Sequence, residues 1–316
     1  MRLIKFTFIA LLFTSFCSAQ DDVELKTVVD TILNPKRTLQ VADPLNAVKT
    51  MQKLFPGKFY KLDNDNVFLS WKCQSCKTQL YTDVNGMEED QPFPYKEGVA
   101  TRHLETITYK DSKENQFKLV FFNHSVYDPD GAQTGRFVGG LIGVAKFAKN
   151  DKIWQMRSFQ PAIAAFGAFS RAPTPKLVQI GEDQYAFTIV HSNGGAGGAY
   201  SGYFYLVAGF DGKYQPLIEV PNYQITNSDS STWSGSYTVV NDGKKKFFRD
   251  FIITTKGYYS KSKGGEYDYE IDMPTEVSEL AKTKKYFDFT IEKRLSFNGK
   301  IYTVVGKPIV KYSNIK

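Results

Sequence analysis

The stretch GYFYLVAGFDGKYQPLIEV, Gly202 to Val220, sets two β-prone runs on either side of Asp211-Gly212. Tyrosine, phenylalanine, valine and isoleucine suit a pleated, half-buried surface. Aspartate and glycine tolerate the positive φ that a tight hairpin turn demands. The stretch therefore reads as two antiparallel strands closed by a short turn.

The same grammar recurs outward from it. Asn150-Asp151 precedes KIWQMRSF, Asn241-Asp242-Gly243 joins SYTVV to KKKFFRDFIITT, and Asn298-Gly299 joins FTIEKRLSF to KIYTVVG. Between residues 58 and 149 the runs KFYKL, VFLSWK, HLETITYK, FKLVFFNHSVY and LIGVAKFAK have the same β-branched and aromatic character. Long helices alternating with strands are missing, which argues against a doubly wound parallel sheet. The expected fold is mainly β, an antiparallel meander forming a sandwich, a curled sheet or a propeller-like unit.

Two short helices are expected ahead of it. DVELKTVVDTIL spaces Val23, Val28 and Ile32 as a helix would, up to Pro35. DPLNAVKTMQKLF offers Asp43 as N-cap and Pro44 at the first helical position, with Pro56-Gly57 as the stop. A later helix is read in EVSELAKTKKYF, Glu276 to Tyr286, and SFQPAIAAFGAFSRAPTP is read as strand and loop. Residues 20–57 thus form a helical segment and 58–316 a β-rich domain.

MRLIKFTFIALLFTSFCSAQ has the order of a secretory signal peptide: charges at Arg2 and Lys5, a short apolar run, then small residues. Cleavage is expected after Ala19, giving a secreted or periplasmic chain with no transmembrane segment. Lipid attachment at Cys17 is disfavoured because Phe16, a bulky residue, precedes it. The formal charge of +7 falls to +5 without Arg2 and Lys5. Its basic excess lies in strand-like C-terminal runs where lysines alternate with aromatics. That is the pattern of a solvated strand face or a guarded edge, so no nucleic-acid partner is expected.

HSNGGAGGAYSGY, His191 to Tyr203, looks most like a site. It fails as a dinucleotide fingerprint, because the glycine spacing is wrong and a strand follows it. It is no P-loop, and Ser201 is one residue out of register for a nucleophile elbow. It reads as a contact loop or as a plain connection. His191, Asn193, Gly195, Gly197, Tyr200 and Tyr203 are the residues through which it would touch a partner.

Cys73 and Cys76 in WKCQSCK are the only cysteines beyond the leader. A structural disulfide at a strand turn is expected, with a metal or redox pair as alternatives. The acidic clusters LDNDNV, YDPDGAQ and TDVNGMEED lack the full ligand set of a calcium loop. The S-x-x-K match at Ser260 and Lys263 lies in a lysine- and glycine-rich loop, the wrong setting for that nucleophile. No metal and no cofactor is expected. Tyrosines such as those of YYSKSKGGEYDYE can stack on sugars, although most aromatics here belong to sheet cores.

No complete catalytic motif is present, so the sequence points first to an extracellular or periplasmic protein that binds a protein or glycan partner. The rival reading is a secreted hydrolase of cell-wall or extracellular polymers, with scattered carboxylates and histidines. A metal or redox protein built on the cysteine pair is a third.

Overall fold

The computed structural model describes residues 24–62, 66–86, 90–128, 135–194, 199–225, 231–261 and 272–316. Ten strands and one helix come first. They are β1 (Lys26–Thr27), β2 (Gln40–Ala42), α1 (Ala47–Leu54), β3 (Lys58–Lys61) and β4 (Val67–Lys72). Then follow β5 (Gln79–Tyr81), β6 (Gln91–Phe93), β7 (Val99–Lys110), β8 (Gln116–Val126), β9 (Gly140–Asn150) and β10 (Ile153–Phe166). Eight of these strands make one sheet in the order β1-β4-β7-β8-β9-β10-β2, with β3 also paired to β4. Strands β5 and β6 form a separate ribbon.

The second sheet needs no crossover. Strands β11 (Lys176–Gly181), β12 (Gln184–Gly194), β13 (Tyr200–Phe210) and β14 (Lys213–Ile225) are followed by β15 (Thr232–Val239), β16 (Phe251–Ser260), β17 (Tyr286–Phe297) and β18 (Tyr302–Ser313). They lie side by side in chain order, each antiparallel to the next. The fold is thus the expected β meander, built as curled sheets. Among the described strand pairs only β1 with β4 is parallel, alongside one isolated parallel bridge between Asp83 and Ala165.

The turn residues explain the registers. Asp211 and Gly212 both have positive φ, 51° and 78°, and close β13 onto β14 with Phe210 opposite Lys213. Asp151, at φ 52°, does the same between β9 and β10. Asparagine and aspartate reach this region at lower cost than other side chains, and glycine at none.

Three local expectations need correction. The first helix is only a 3₁₀ turn, Asp30–Leu33, preceded by β1. Val28, Ile32 and Leu33 are buried in the first sheet's core, so tertiary packing outweighs the helical spacing. In the second helix, α1, Asn46 is the cap, accepting a hydrogen bond from Lys49 N–H at 2.9 Å. Asp43 lies before it and instead accepts from Trp154 Nε1–H at 2.8 Å. Lastly, KKKFF is loop, and β16 begins only at Phe251.

Three cores hold the layers. Met51 and Leu54 of α1, with Phe55 just after it, meet Trp71, Phe122, Phe147 and Trp154 over one face of the first sheet. A second cluster, including Phe121, Val144, Phe166, Phe187, Ile189 and Tyr205, joins the two sheets. Each such side chain fully removed from water contributes about 1.5–3 kcal/mol before entropy is counted. On the second sheet's other face Phe204, Leu206, Ile218, Phe251, Ile253 and Leu295 make a third core.

Helix α2 (Thr275–Thr283) covers part of that sheet. It is the helix expected from EVSELAKTKKYF. Val277, Leu280 and Ala281, spaced for one helical face, meet Trp233, Phe287 and Phe289. Val277 is wholly buried.

Candidate active site under the second helix

Where α2 approaches the sheet, the apolar packing leaves a cavity of about 330 Å³. That is at the lower end of the range for small-molecule sites, large enough for one or two sugar rings. Its floor comes from neighbouring strands: Gly202 and Tyr203 of β13, Val220 and Tyr223 of β14, Trp233 of β15, Ile253 of β16 and Lys293 of β17. Its cover is the chain from Asp272 to Glu276.

Hydrogen bonds fix the cover to the floor. Trp233 Nε1–H donates to the Asp272 carbonyl at 3.1 Å, and Tyr312 Oη–H donates to the Glu276 carbonyl at 3.2 Å. Glu276 enters the cavity wall from the first turn of α2. Its Oε1 lies 2.6 Å from Lys293 Nζ, with the Glu276 side chain 16% exposed. Its Oε2 is buried and meets no hydrogen-bond donor among the described residues. A buried acceptor left unmatched costs about 1–3 kcal/mol, so this oxygen favours any donor brought to it. Asp272, exposed at the rim, is the second carboxylate of the lining.

The residues predicted from the glycine-rich stretch fall in two places. Tyr203 lines the cavity. His191 and Asn193 lie at the seam between the sheets, in a network centred on the buried Asp83. Asp83 accepts from Gly139 N–H at 2.8 Å and from Asn85 Nδ2–H at 2.8 Å. Asn85 in turn accepts from Asn193 Nδ2–H at 2.5 Å. His191 Nδ1 accepts from Gly167 N–H at 2.8 Å, so a neutral ring carries its proton on Nε2. Burial holds the His191 pKa below its ordinary value, against the opposing pull of Asp83.

These seam groups spend their hydrogen bonds on one another, which is how a network that ties two sheets together behaves. Tyr200 begins β13, exposed, opposite Gly194. Gly195 and Gly197 lie outside the described residues. So do residues 63–65, 129–134 and 262–271, which hold most of the first two acidic clusters and Lys263 of the S-x-x-K match. Cys73 and Cys76 form a disulfide, and both pack against the first core. Among the described residues no group of three or more histidine, cysteine or carboxylate side chains is placed to hold a metal ion.

Sequence reasoning missed the cavity's main groups: Tyr223, Trp233, Asp272, Glu276 and Lys293. They sit on four separate segments, so no local spacing announces them. Only the α2 pattern and the lone tryptophan in its strand were visible signals.

Comparison with known proteins adds one finding. The levansucrase/invertase family (glycoside hydrolase 68) matches residues 84–288, about two thirds of the chain. That span contains both cavity carboxylates and the three aromatic rings of its lining, Tyr203, Tyr223 and Trp233, while Lys293 lies just beyond it. No curated protein and no solved structure matches the chain significantly. The match supports a glycan-acting hydrolase or transferase, the rival reading of the sequence, over the binding protein put first. The chain belongs to the levansucrase/invertase family.

Proposed function

We propose that this protein hydrolyses glycosidic bonds or transfers the released glycosyl group, and that it does so in the cavity beneath α2. The observation that carries the reading is the joint presence there of two carboxylates and aromatic walls within the matched span, with the anchoring Lys293 just beyond its end. Glycoside cleavage needs a proton delivered to the leaving oxygen and a carboxylate beside the anomeric carbon as positive charge develops on it.

Glu276 is the fixed carboxylate. Lys293 holds one oxygen, and the second is left for the sugar. Asp272, at the open rim, exchanges the proton with the leaving group and with water. In hydrolysis a water takes the glycosyl group; in transfer a second sugar hydroxyl does, and the bond count is unchanged. The chain works outside the cytoplasm after cleavage behind Ala19, on extracellular or cell-wall polymers. No helix among the described residues is long and apolar enough to cross a membrane.

The test is sugar release from sucrose, from levan and from a panel of cell-wall polysaccharides. The variants are Glu276→Gln and Asp272→Asn. The reading expects each to lose activity by about 100-fold or more while binding is kept. Undiminished turnover in Glu276→Gln would remove the cavity from the mechanism.

A further inference from the structure

Tyr223 and Gly202 are directly paired across β14 and β13. A Cβ built on Gly202 would lie 2.6 Å from both Cδ1 and Cζ of the Tyr223 ring, and closer still to Cε1 between them. Those spacings put the built atom above the plane of the ring, at its Cε1 side. The Cε1 side of the tyrosine ring therefore covers the glycine, a position that a side chain at 202 would not allow.

Its neighbours on the same face of the sheet are Phe204 and Val220, which continue into the third core. Both residues line the cavity. Glycine is costly inside a strand, since it weakens pairing and adds no packing of its own. Its place here is explained by what it permits.

We infer that Tyr223, seated on Gly202, is a sugar-stacking subsite of the cavity, and that it selects glycans whose rings present a face of C–H groups. This rests on the glycan reading of the cavity and names how the sugar is held there. The ring's negative π face meets the slightly positive C–H groups of the sugar, and both surfaces leave water. Packed against Gly202, the ring loses little freedom on binding. Lys293 and Glu276 lie on the same cavity wall and meet the hydroxyls. The subsite thus suits a neutral sugar with one apolar face and a hydroxyl-bearing edge, and it offers no grip to a flat, fully charged ligand.

The experiment measures binding, so its failure is separable from failure of catalysis. Calorimetric titration of sucrose and of a short fructo-oligosaccharide is run with the full chain and three variants. Tyr223→Ala is expected to weaken binding by about tenfold. Tyr223→Phe should stay within about twofold, because the stacking face remains. Gly202→Ala should resemble Tyr223→Ala, because the new methyl group lifts the ring, although the tyrosine is still present. Circular dichroism and a melting curve confirm that each variant is folded, and Tyr223→Phe serves where Tyr223→Ala does not fold.

The inference is overturned if Tyr223→Ala binds like the parent chain. Loss of binding in Tyr223→Phe to the level of the alanine variant also overturns it, since the hydroxyl would then be the contact. So does a parent chain that binds neither sugar. If binding depends on the ring but the parent chain releases no product from any substrate, the subsite stands and the catalytic reading falls.

Discussion

Acid should unfold this protein in part through one side chain, His124. The ring is fully buried on β8 among Phe55, Trp71, Phe93 and Phe122, with ring centroids 4.7–6.1 Å away. Nε2–H donates to the Pro161 carbonyl at 3.1 Å, and Nδ1 lies 2.8 Å from Thr101 Oγ1, which itself accepts from Trp71 Nε1–H. The neutral tautomer is thus satisfied at both nitrogens, and no carboxylate reaches the ring to favour a cation.

Burial pushes its pKa down to about 3, only partly offset by the Pro161 hydrogen bond. The unfolded chain titrates near the ordinary value of about 6.5. Below that pH the unfolded state binds a proton that the native state refuses, so stability is lost as pH falls. The slope is about 1.4 kcal/mol per pH unit, or about 2 kcal/mol between pH 7 and pH 5.

Urea unfolding of the parent chain and of His124→Gln at pH 7, 6 and 5 isolates this effect. The variant is less stable at pH 7, and the gap should shrink by about 2 kcal/mol by pH 5. His103 and His191, whose pKa values burial also lowers, are present in both chains and cancel. A gap that stays constant within about 0.5 kcal/mol would refute the reasoning.

Two further substitutions probe the scaffold. Asp83→Ala leaves Gly139 N–H without its acceptor at the seam. It should lower stability by about 2–3 kcal/mol in urea unfolding, and a change below about 0.5 kcal/mol would contradict the seam's role. Gly143→Ala, in β9 opposite Phe122, drives a methyl group into the Phe122 ring and the Pro161 carbonyl. Both neighbours are buried, so a loss of about 1–3 kcal/mol in melting experiments is expected, and an unchanged melting temperature would show that β9 and β10 can spread.

The β class was legible because turn chemistry is local. Asp151 and Asp211-Gly212 take the conformations their side chains favour, and the strands beside them follow. Where long-range packing competes, the reading slipped. The spacing of Val28 and Ile32 mimics a helix, but Val28 follows the short strand beside β4 and Ile32 belongs to a single 3₁₀ turn, both anchored in the first core. In KKKFFRD, Lys245 is drawn to the buried Asp250 at 2.7 Å and Phe248 to the third core, which pulls the segment out of the sheet.

The site was less legible for the same reason. Glu276 meets Lys293, and Gly202 meets Tyr223, only through strand order and register. The glycine-rich stretch drew attention by composition. Its histidine and its asparagine turn to the seam, and its last tyrosine lines the cavity.

The most direct test of the central claim is a crystal structure of the protein soaked with sucrose or a short fructo-oligosaccharide. Sugar density between the Tyr223 ring and the Glu276 carboxylate is the predicted result. Density at the Asp83–His191 seam, or on an outer sheet face with the α2 cavity empty, would contradict it.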